Sequence, residues 1–131
     1  MAIVSYAPGT TPPFGEPEPA LSSNALAVLE KRYLRRDETG RVIETPGELF
    51  WRVAWNLAQA DRAYGATEED VRRTAQDFYH IMAATEFLPN SPTLMNAGLD
   101  LQQLSACFVI PVEDILDGIF DALKWQAKIH Q

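Results

Sequence analysis

The sequence has a single cysteine, Cys107, among its 131 residues. One thiol cannot form an intrachain disulfide or a cysteine-based metal site, so any redox chemistry at Cys107 requires a partner from elsewhere. Histidine is almost as scarce, because only His80 and His130 are present and neither is followed by a second ligand three or four residues further along the chain. We therefore expect no metal site and treat both histidines as structural or surface residues.

Basic residues are outnumbered, with 11 Lys and Arg against 18 Asp and Glu, and the formal net charge is −7. Binding to a nucleic acid backbone depends on Lys and Arg, so a nucleic acid partner is not expected. Small nucleotides differ, because backbone N–H groups and hydroxyls hold a phosphate without a basic surface. The acidity of the chain therefore argues against DNA and RNA but does not argue against a nucleotide ligand.

Long apolar runs are also missing, and none approaches the roughly 20 residues that a membrane helix needs. The opening residues, Met1 to Tyr6, have neither the basic start nor the long apolar stretch of a secretory signal. Hydrophobic residues make up 47% and charged residues 22%, as in ordinary globular proteins. We expect at most one domain, in the cytoplasm and without a membrane partner.

Prolines are concentrated at the start of the chain, where five of the nine lie within residues 1–20. This stretch has almost no periodic apolar pattern, so it predicts a disordered or extended tail.

Residues 21–88 predict a helical domain with well-marked helix starts. Ser23 or Asn24 can cap a first helix, and the turn-forming sequence Asp37–Gly40 suggests a small hairpin. The sequences Thr45–Glu48 and Thr67–Asp70 are strong helix starts.

The helix after Thr45 is apolar around most of its surface. Its sequence leaves only Arg52, Asn56 and Gln59 as a narrow polar stripe. A helix this apolar is expected to be covered on more than one side.

After Phe87 the sequence changes character. Pro89 and Pro92 predict a loop, and its small polar residues Asn90, Ser91 and Thr93 offer hydrogen-bond donors to an anion. The same composition also suits a rigid connection whose hydroxyls satisfy the backbone, and the residues alone favour this second interpretation.

The short apolar run Ala106–Ile110 predicts one buried strand. A lone strand cannot satisfy its own backbone hydrogen bonds, so it must pair with strands that this chain does not contain, and the sequence looks truncated. Cys107 lies in this run, where an inert core thiol is the simple interpretation. Asp114 is predicted to cap an amphipathic helix that continues to the end of the chain.

Two ordered motifs carry a family resemblance. The segments Phe87–Gly98 (FLPNSPTLMNAG) and Gln103–Asp114 (QLSACFVIPVED) resemble the start of class II, adenosylcobalamin-dependent ribonucleotide reductases. Upstream, Asn24–Leu34 (NALAVLEKRYL) and Val42–Pro46 (VIETP) also match the opening of that family. The resemblance extends from about residue 21 to the C-terminus and is far more specific than a short degenerate pattern.

The resemblance implies a mainly α chain, in which an N-terminal helical segment leads into a ten-stranded α/β barrel. Residues 89–131 would be the start of that barrel, truncated after its first strand, Ala106–Ile110, and its first helix.

The resemblance also implies roles for individual residues. Cys107 would be the catalytic residue that forms one half of the redox pair. Thr93 and Ser91 would bind the substrate phosphates, and Ala106 with Cys107 would line the ribose. Asp114 would meet the ribose of an allosteric effector.

The implied ligands are a ribonucleotide substrate, a deoxynucleotide or ATP effector, adenosylcobalamin and an external dithiol reductant, and the full-length protein would be a homodimer. The radical cysteine, the second redox cysteine and the cobalamin surface would lie beyond Gln131, so the chain alone is expected to be inactive. This chain has Ile115 where the family often has Ser. Two alternatives remain: a class I enzyme with a separate radical-generating subunit, and a stand-alone helical interaction module without activity.

Overall fold

The computed structural model describes residue 12 and residues 15–131. Within this part, a 3₁₀ helix, Gln59–Tyr64, follows the second of five α-helices, and no strand is present. The α-helices are α1 (Ser23–Arg32), α2 (Pro46–Ala58), α3 (Glu68–Ala83), α4 (Ser91–Asn96) and α5 (Leu116–His130). None of the described helices is long and apolar enough to cross a bilayer. The prediction of a mainly α chain is confirmed.

Helices α2 and α3 begin with capping boxes, which confirms the helix starts predicted at Thr45 and Thr67. The Thr45 hydroxyl accepts from the Glu48 N–H at 3.2 Å, and the Glu48 carboxylate accepts from the Thr45 N–H at 2.7 Å. Thr67 and Asp70 repeat this arrangement at the start of α3. Each box satisfies two backbone donors that a helix N-terminus would otherwise leave without partners.

The core lies between α2 and α3, which are the most extensively packed pair of helices. Leu49, Phe50 and Val53 of α2 and Val71 and Ala75 of α3 are almost completely buried. Burial of each large apolar side chain contributes about 1.5–3 kcal/mol before the entropy cost of ordering it. The α2–α3 pair is therefore the main source of stability in the helical part.

The loop predicted around Pro89 and Pro92 contains a helix, α4, and that prediction was wrong. The Asn90 side chain accepts from the Thr93 N–H at 3.0 Å and caps the helix. Pro92 lies in the first turn, where its missing N–H costs no hydrogen bond. Gly98, with a φ of 75°, follows the helix in the left-handed conformation that commonly ends helices.

A disordered or extended tail was predicted over residues 1–20, and the part that directly precedes α1 is an extended segment that contacts α3. The Tyr79 hydroxyl donates to the Pro17 carbonyl at 2.7 Å, and Gln76 donates to the Glu16 carboxylate at 2.9 Å. His80 Nε2 lies 2.5 Å from the other Glu16 oxygen. A buried phenol needs an acceptor, and the extended segment supplies one. Residues 1–11, 13 and 14 lie outside the described residues.

Tyr79 gives the chain an expected sensitivity to alkaline pH. Burial, together with the negative charges of Glu18 and Glu16, raises the pKa of Tyr79 to about 12, whereas a tyrosine in an unfolded chain has a pKa of about 10. The unfolded state therefore loses the phenolic proton first. The contribution of the protonated Tyr79 to the free energy of unfolding is fully present below pH 10. It is lost as the pH rises to about 12, which lowers the free energy of unfolding by up to about 2 kcal/mol.

Urea denaturation of the wild type, Tyr79→Phe and Tyr64→Phe between pH 8 and 12 tests this expectation. Tyr79→Phe should lose less stability over this range than the wild type. The exposed Tyr64 serves as the control, and its replacement should leave the slope unchanged. Equal slopes for the wild type and Tyr79→Phe would contradict the pKa assignment.

The predicted buried strand is not observed. Ala106–Ile110 has no regular secondary structure, Cys107 and Phe108 are exposed, and Val109 is 97% exposed. A strand exists only through pairing, and the described chain offers this segment no partner strand. The predicted hairpin at Asp37–Gly40 is likewise reduced to one antiparallel bridge, between Arg36 and Val42.

Asp114 was predicted to cap the last helix, and that prediction was wrong. Helix α5 has Ile115 at its N-cap and no side-chain cap, and the Ile115 carbonyl accepts from the Ile119 N–H at 3.1 Å. The chain folds closely over the first turn of α5, since a Cβ at Gly118 would lie 2.8 Å from Glu113 Cβ. The helix therefore begins two residues after Asp114, at Leu116, and the Asp114 side chain is exposed.

Candidate functional site

The candidate site begins at Thr93, in the first turn of α4. The side chain of Thr93 is buried, and its hydroxyl oxygen lies 2.7 Å from Asn90 Oδ1 and 2.9 Å from the Leu104 carbonyl oxygen. A hydroxyl has one proton, so it donates to one of these oxygens at a time. Thr93 thus joins α4 to the segment that leads to Cys107. This arrangement corresponds to the rigid connection, with hydroxyls that satisfy the backbone, that the sequence also allowed.

A second hydrogen bond supports the same connection. Asn96, at the end of α4, donates from Nδ2 to the Gln103 carbonyl at 2.8 Å. Together with the bond from Thr93 to Leu104, it attaches two consecutive residues before Cys107, Gln103 and Leu104, to α4. The two motifs that were recognised separately in the sequence are therefore in direct contact.

Ser91 is exposed at the start of α4, and its hydroxyl lies 2.8 Å from the hydroxyl of Tyr33. Tyr33 follows α1 directly, so this contact connects the end of the first helix with the start of α4. Ser91 and Thr93 therefore lie in the same helical turn, with one hydroxyl at the surface and one buried.

Ala106 and Cys107 lie in the irregular segment before α5, and both are exposed. Ala106 lines an open groove of about 370 Å³ together with Phe108, Ile110 and residues of α5. Accessibility is a requirement for a thiol that exchanges electrons with other molecules. The structure thus places Cys107 at the surface. The simple interpretation from the sequence, an inert thiol in the core, is therefore wrong.

Helix α5 lies outside the α2–α3 core. Its apolar residues Ile119, Phe120 and Leu123 are each about half exposed or more. Asp114 precedes this helix and is distant along the chain from Ser91 and Thr93. The structure therefore places Ser91 and Thr93 together on α4, whereas Ala106 and Cys107 lie in the irregular segment before α5. Asp114, the predicted effector residue, lies closer to the start of α5.

Arg52 is the residue at this site that the sequence interpretation missed, because it was assigned to a polar stripe on α2. In the structure Arg52 is 1% exposed. Its Nε lies 2.7 Å from Glu44 Oε1, and its Nη2 lies 3.1 Å from Glu44 Oε2. A polar residue within an almost wholly apolar helix face is the signal that a buried partner exists.

The same guanidinium also reaches α4. Arg52 Nη1 donates to the Ala97 carbonyl at 2.5 Å, and Nη2 lies 3.5 Å from the Leu94 carbonyl. Glu44 in turn accepts from the Arg35 N–H at 3.0 Å. One buried ion pair therefore joins the segment after α1, helix α2 and the end of helix α4.

Among residues 12 and 15–131, no group of three or more His, Cys, Asp or Glu side chains is arranged to hold a metal ion.

Comparison with known proteins identifies the class to which this fold belongs. Residues 20–102, which contain α1 to α4, match the family described as "Ribonucleotide reductase, all-alpha domain". The vitamin B12-dependent ribonucleoside-diphosphate reductase of Mycobacterium tuberculosis (strain CDC 1551 / Oshkosh) is 46% identical over 111 residues, covering 85% of this chain and 16% of that protein.

Two further relatives agree. The vitamin B12-dependent ribonucleoside-diphosphate reductase of Thermoplasma acidophilum is 35% identical over 164 residues, with 85% of this chain and 21% of that protein covered. The ribonucleoside-diphosphate reductase subunit alpha of Helicobacter pylori (strain J99) is 33% identical over 118 residues, with 88% of this chain and 14% of that protein covered. The chain therefore belongs to the ribonucleotide reductase family. It spans less than a quarter of the length of each of these three relatives.

Proposed function

We propose that this chain is part of an enzyme that reduces ribonucleotides to 2′-deoxyribonucleotides by thiyl-radical chemistry, with adenosylcobalamin as its cofactor. The single observation that carries the proposal is the 46% identity to a reductase whose name states its dependence on vitamin B12. Relatives whose names do not state this dependence are less identical, at 33–39%. This difference favours the cobalamin-dependent class over a class I enzyme.

Cys107 is one of the two thiols that reduce the substrate in this proposal. A thiyl radical elsewhere removes the 3′ hydrogen of the ribose and later returns it. The 2′ carbon–oxygen bond breaks, and the hydroxyl leaves as water. Two thiols supply the two electrons and two protons and become a disulfide, which an external dithiol reduces again. The exposed position of Cys107 supports this role.

Ser91 and Thr93 take part in binding the substrate phosphates in this proposal. Ser91 offers an exposed hydroxyl at the start of α4. Thr93, whose hydroxyl is engaged within the chain, holds the turn in the required geometry, and Ala106 lies beside Cys107 to line the ribose. A phosphate is negatively charged, and N–H and O–H donors in a fixed turn suit it.

Asp114 binds the ribose of an allosteric nucleotide, either ATP or a deoxynucleotide, in this proposal. Its side chain is exposed and does not serve as the cap of α5, so replacing it would not remove a cap from the helix. The exposed apolar side chains of α5 suit the dimer contact that the family resemblance implies.

Residues 89–131 form the beginning of the catalytic barrel in this proposal, after the helical domain of residues 21–88. The unpaired, exposed run Ala106–Ile110 supports this division, since it becomes a strand only when neighbouring strands are supplied. Adenosylcobalamin supplies the initial radical when it is bound. The family resemblance implies that its binding surface lies beyond Gln131, so we assign no residue of this chain to it.

Product formation by the full-length protein tests the proposal. The protein should convert ribonucleotides to deoxynucleotides in the presence of a dithiol only when adenosylcobalamin is added, and the 131-residue chain alone should form none. Activity that requires a separate radical-generating subunit instead would identify a class I enzyme. The absence of any reduction under both conditions would favour a helical interaction module without activity.

A further inference from the structure

Helix α4 is too short to hold its own position. It has six residues, whereas isolated helices shorter than about 12–15 residues are marginal in water. Asn90 caps its N-terminus, but the carbonyls of the last turn have no partners within a helix. The position of α4 must therefore be set by contacts with the rest of the fold.

Arg52 provides these contacts at the C-terminal end of α4. Its guanidinium reaches the carbonyls of Ala97 and Leu94, where the helix dipole places partial negative charge. The other edge of the same planar group is held by the two oxygens of Glu44. Both side chains are buried, with 1% and 5% of their surfaces exposed. The guanidinium is thus fixed from both sides and has little freedom to move.

We propose that Arg52 and Glu44 are positioning residues for the substrate, because they fix the end of α4 and through it the turn that carries Ser91 and Thr93. This inference rests on the proposed role of that turn in phosphate binding. Arginine suits the task because its rigid fork serves a carboxylate and two carbonyls together, whereas lysine offers one compact charge. Neither Arg52 nor Glu44 touches the substrate in this proposal.

The test compares full-length reductases that carry Arg52→Lys or the pair Arg52→Gln and Glu44→Gln. The double change removes both charges and leaves no unpaired buried ion, so it avoids the main cause of unfolding. Steady-state kinetics at saturating effector should show KM for the ribonucleotide raised about tenfold in the double variant and by a smaller factor in Arg52→Lys. The kcat per folded enzyme should stay within about threefold of the wild type.

Tyr79→Phe is the matched control, because it removes a different buried hydrogen bond, to Pro17, away from α4. Its KM should equal that of the wild type. A merely structural role for the ion pair would lower the melting temperature and the folded fraction while leaving KM unchanged, and that result would overturn the inference. If the double variant does not fold, the KM of Arg52→Lys is the test: a raised KM supports the inference, and an unchanged KM overturns it. Inactivity of the wild type would instead overturn the proposed function.

Discussion

Arg52→Met is expected to lower the free energy of unfolding of the 131-residue chain by about 3–5 kcal/mol. Methionine leaves the Glu44 carboxylate buried without its cation, and the Ala97 carbonyl loses its donor. An uncompensated buried charge is among the most costly changes that a single substitution makes. Such a loss is a large part of the 5–15 kcal/mol that a typical domain has. Urea denaturation followed by circular dichroism measures it.

Arg73→Met is the control, because it replaces an arginine whose salt bridge is exposed instead of buried. Arg73 forms a salt bridge with Asp70 at 2.8 Å, but both side chains are largely exposed, so its replacement should cost at most about 1 kcal/mol. Adding Glu44→Leu to Arg52→Met should restore stability, because the buried charge is then removed. Similar losses for the two single arginine variants would show that Arg52 is not a buried ion-pair partner.

The helix starts of this fold could be predicted because the signals that produce them are local. Thr45 and Thr67 each contact a residue three positions along the chain, so the sequence contains the whole interaction. Helix α4 has a similar local signal in Asn90, but the two prolines were interpreted as helix-breaking. Pro92 does not break the helix, because it lies in the first turn, where a proline is tolerated.

The buried ion pair could not be predicted in the same way. Arg52 meets Glu44 and the carbonyl of Ala97, and these partners lie far apart in the sequence. The apolar surroundings of Arg52 on α2 indicate that other segments cover it, but the local pattern does not show which segments these are. The contact of Tyr79 with Pro17 has the same origin, since a proline-rich stretch without periodicity gives no sign of its docking site.

The segment around Cys107 shows the opposite case. Its apolar composition predicted burial, but burial of a strand depends on neighbours that are not among the described residues. The family resemblance implied a reactive residue at this position, whereas composition alone implied an inert core thiol. The exposure of Cys107 agrees with the first interpretation, and its redox role stays a prediction.

Cys107→Ser is expected to abolish nucleotide reduction by the full-length enzyme. Serine is nearly the same size as cysteine but cannot form a disulfide, so the two electrons needed to release the 2′ hydroxyl as water are not supplied. The free energy of unfolding should change by no more than about 1 kcal/mol. Substrate binding should stay close to that of the wild type, because neither Ser91 nor Thr93 is altered.

Ser105→Ala serves as the matched neighbour, because Ser105 is exposed in the same irregular segment and has no assigned role in the chemistry. This variant should retain turnover. It controls for disturbance of the segment between α4 and α5, which a change at Cys107 also affects.

The rate of deoxynucleotide formation by Cys107→Ser, measured with adenosylcobalamin, saturating effector and excess dithiol, tests the central claim most directly. The proposed redox role of Cys107 predicts a rate at the background level while the enzyme stays folded and binds nucleotide. A rate within a few-fold of the wild type would contradict it and would show that Cys107 is not one of the two thiols that reduce the substrate.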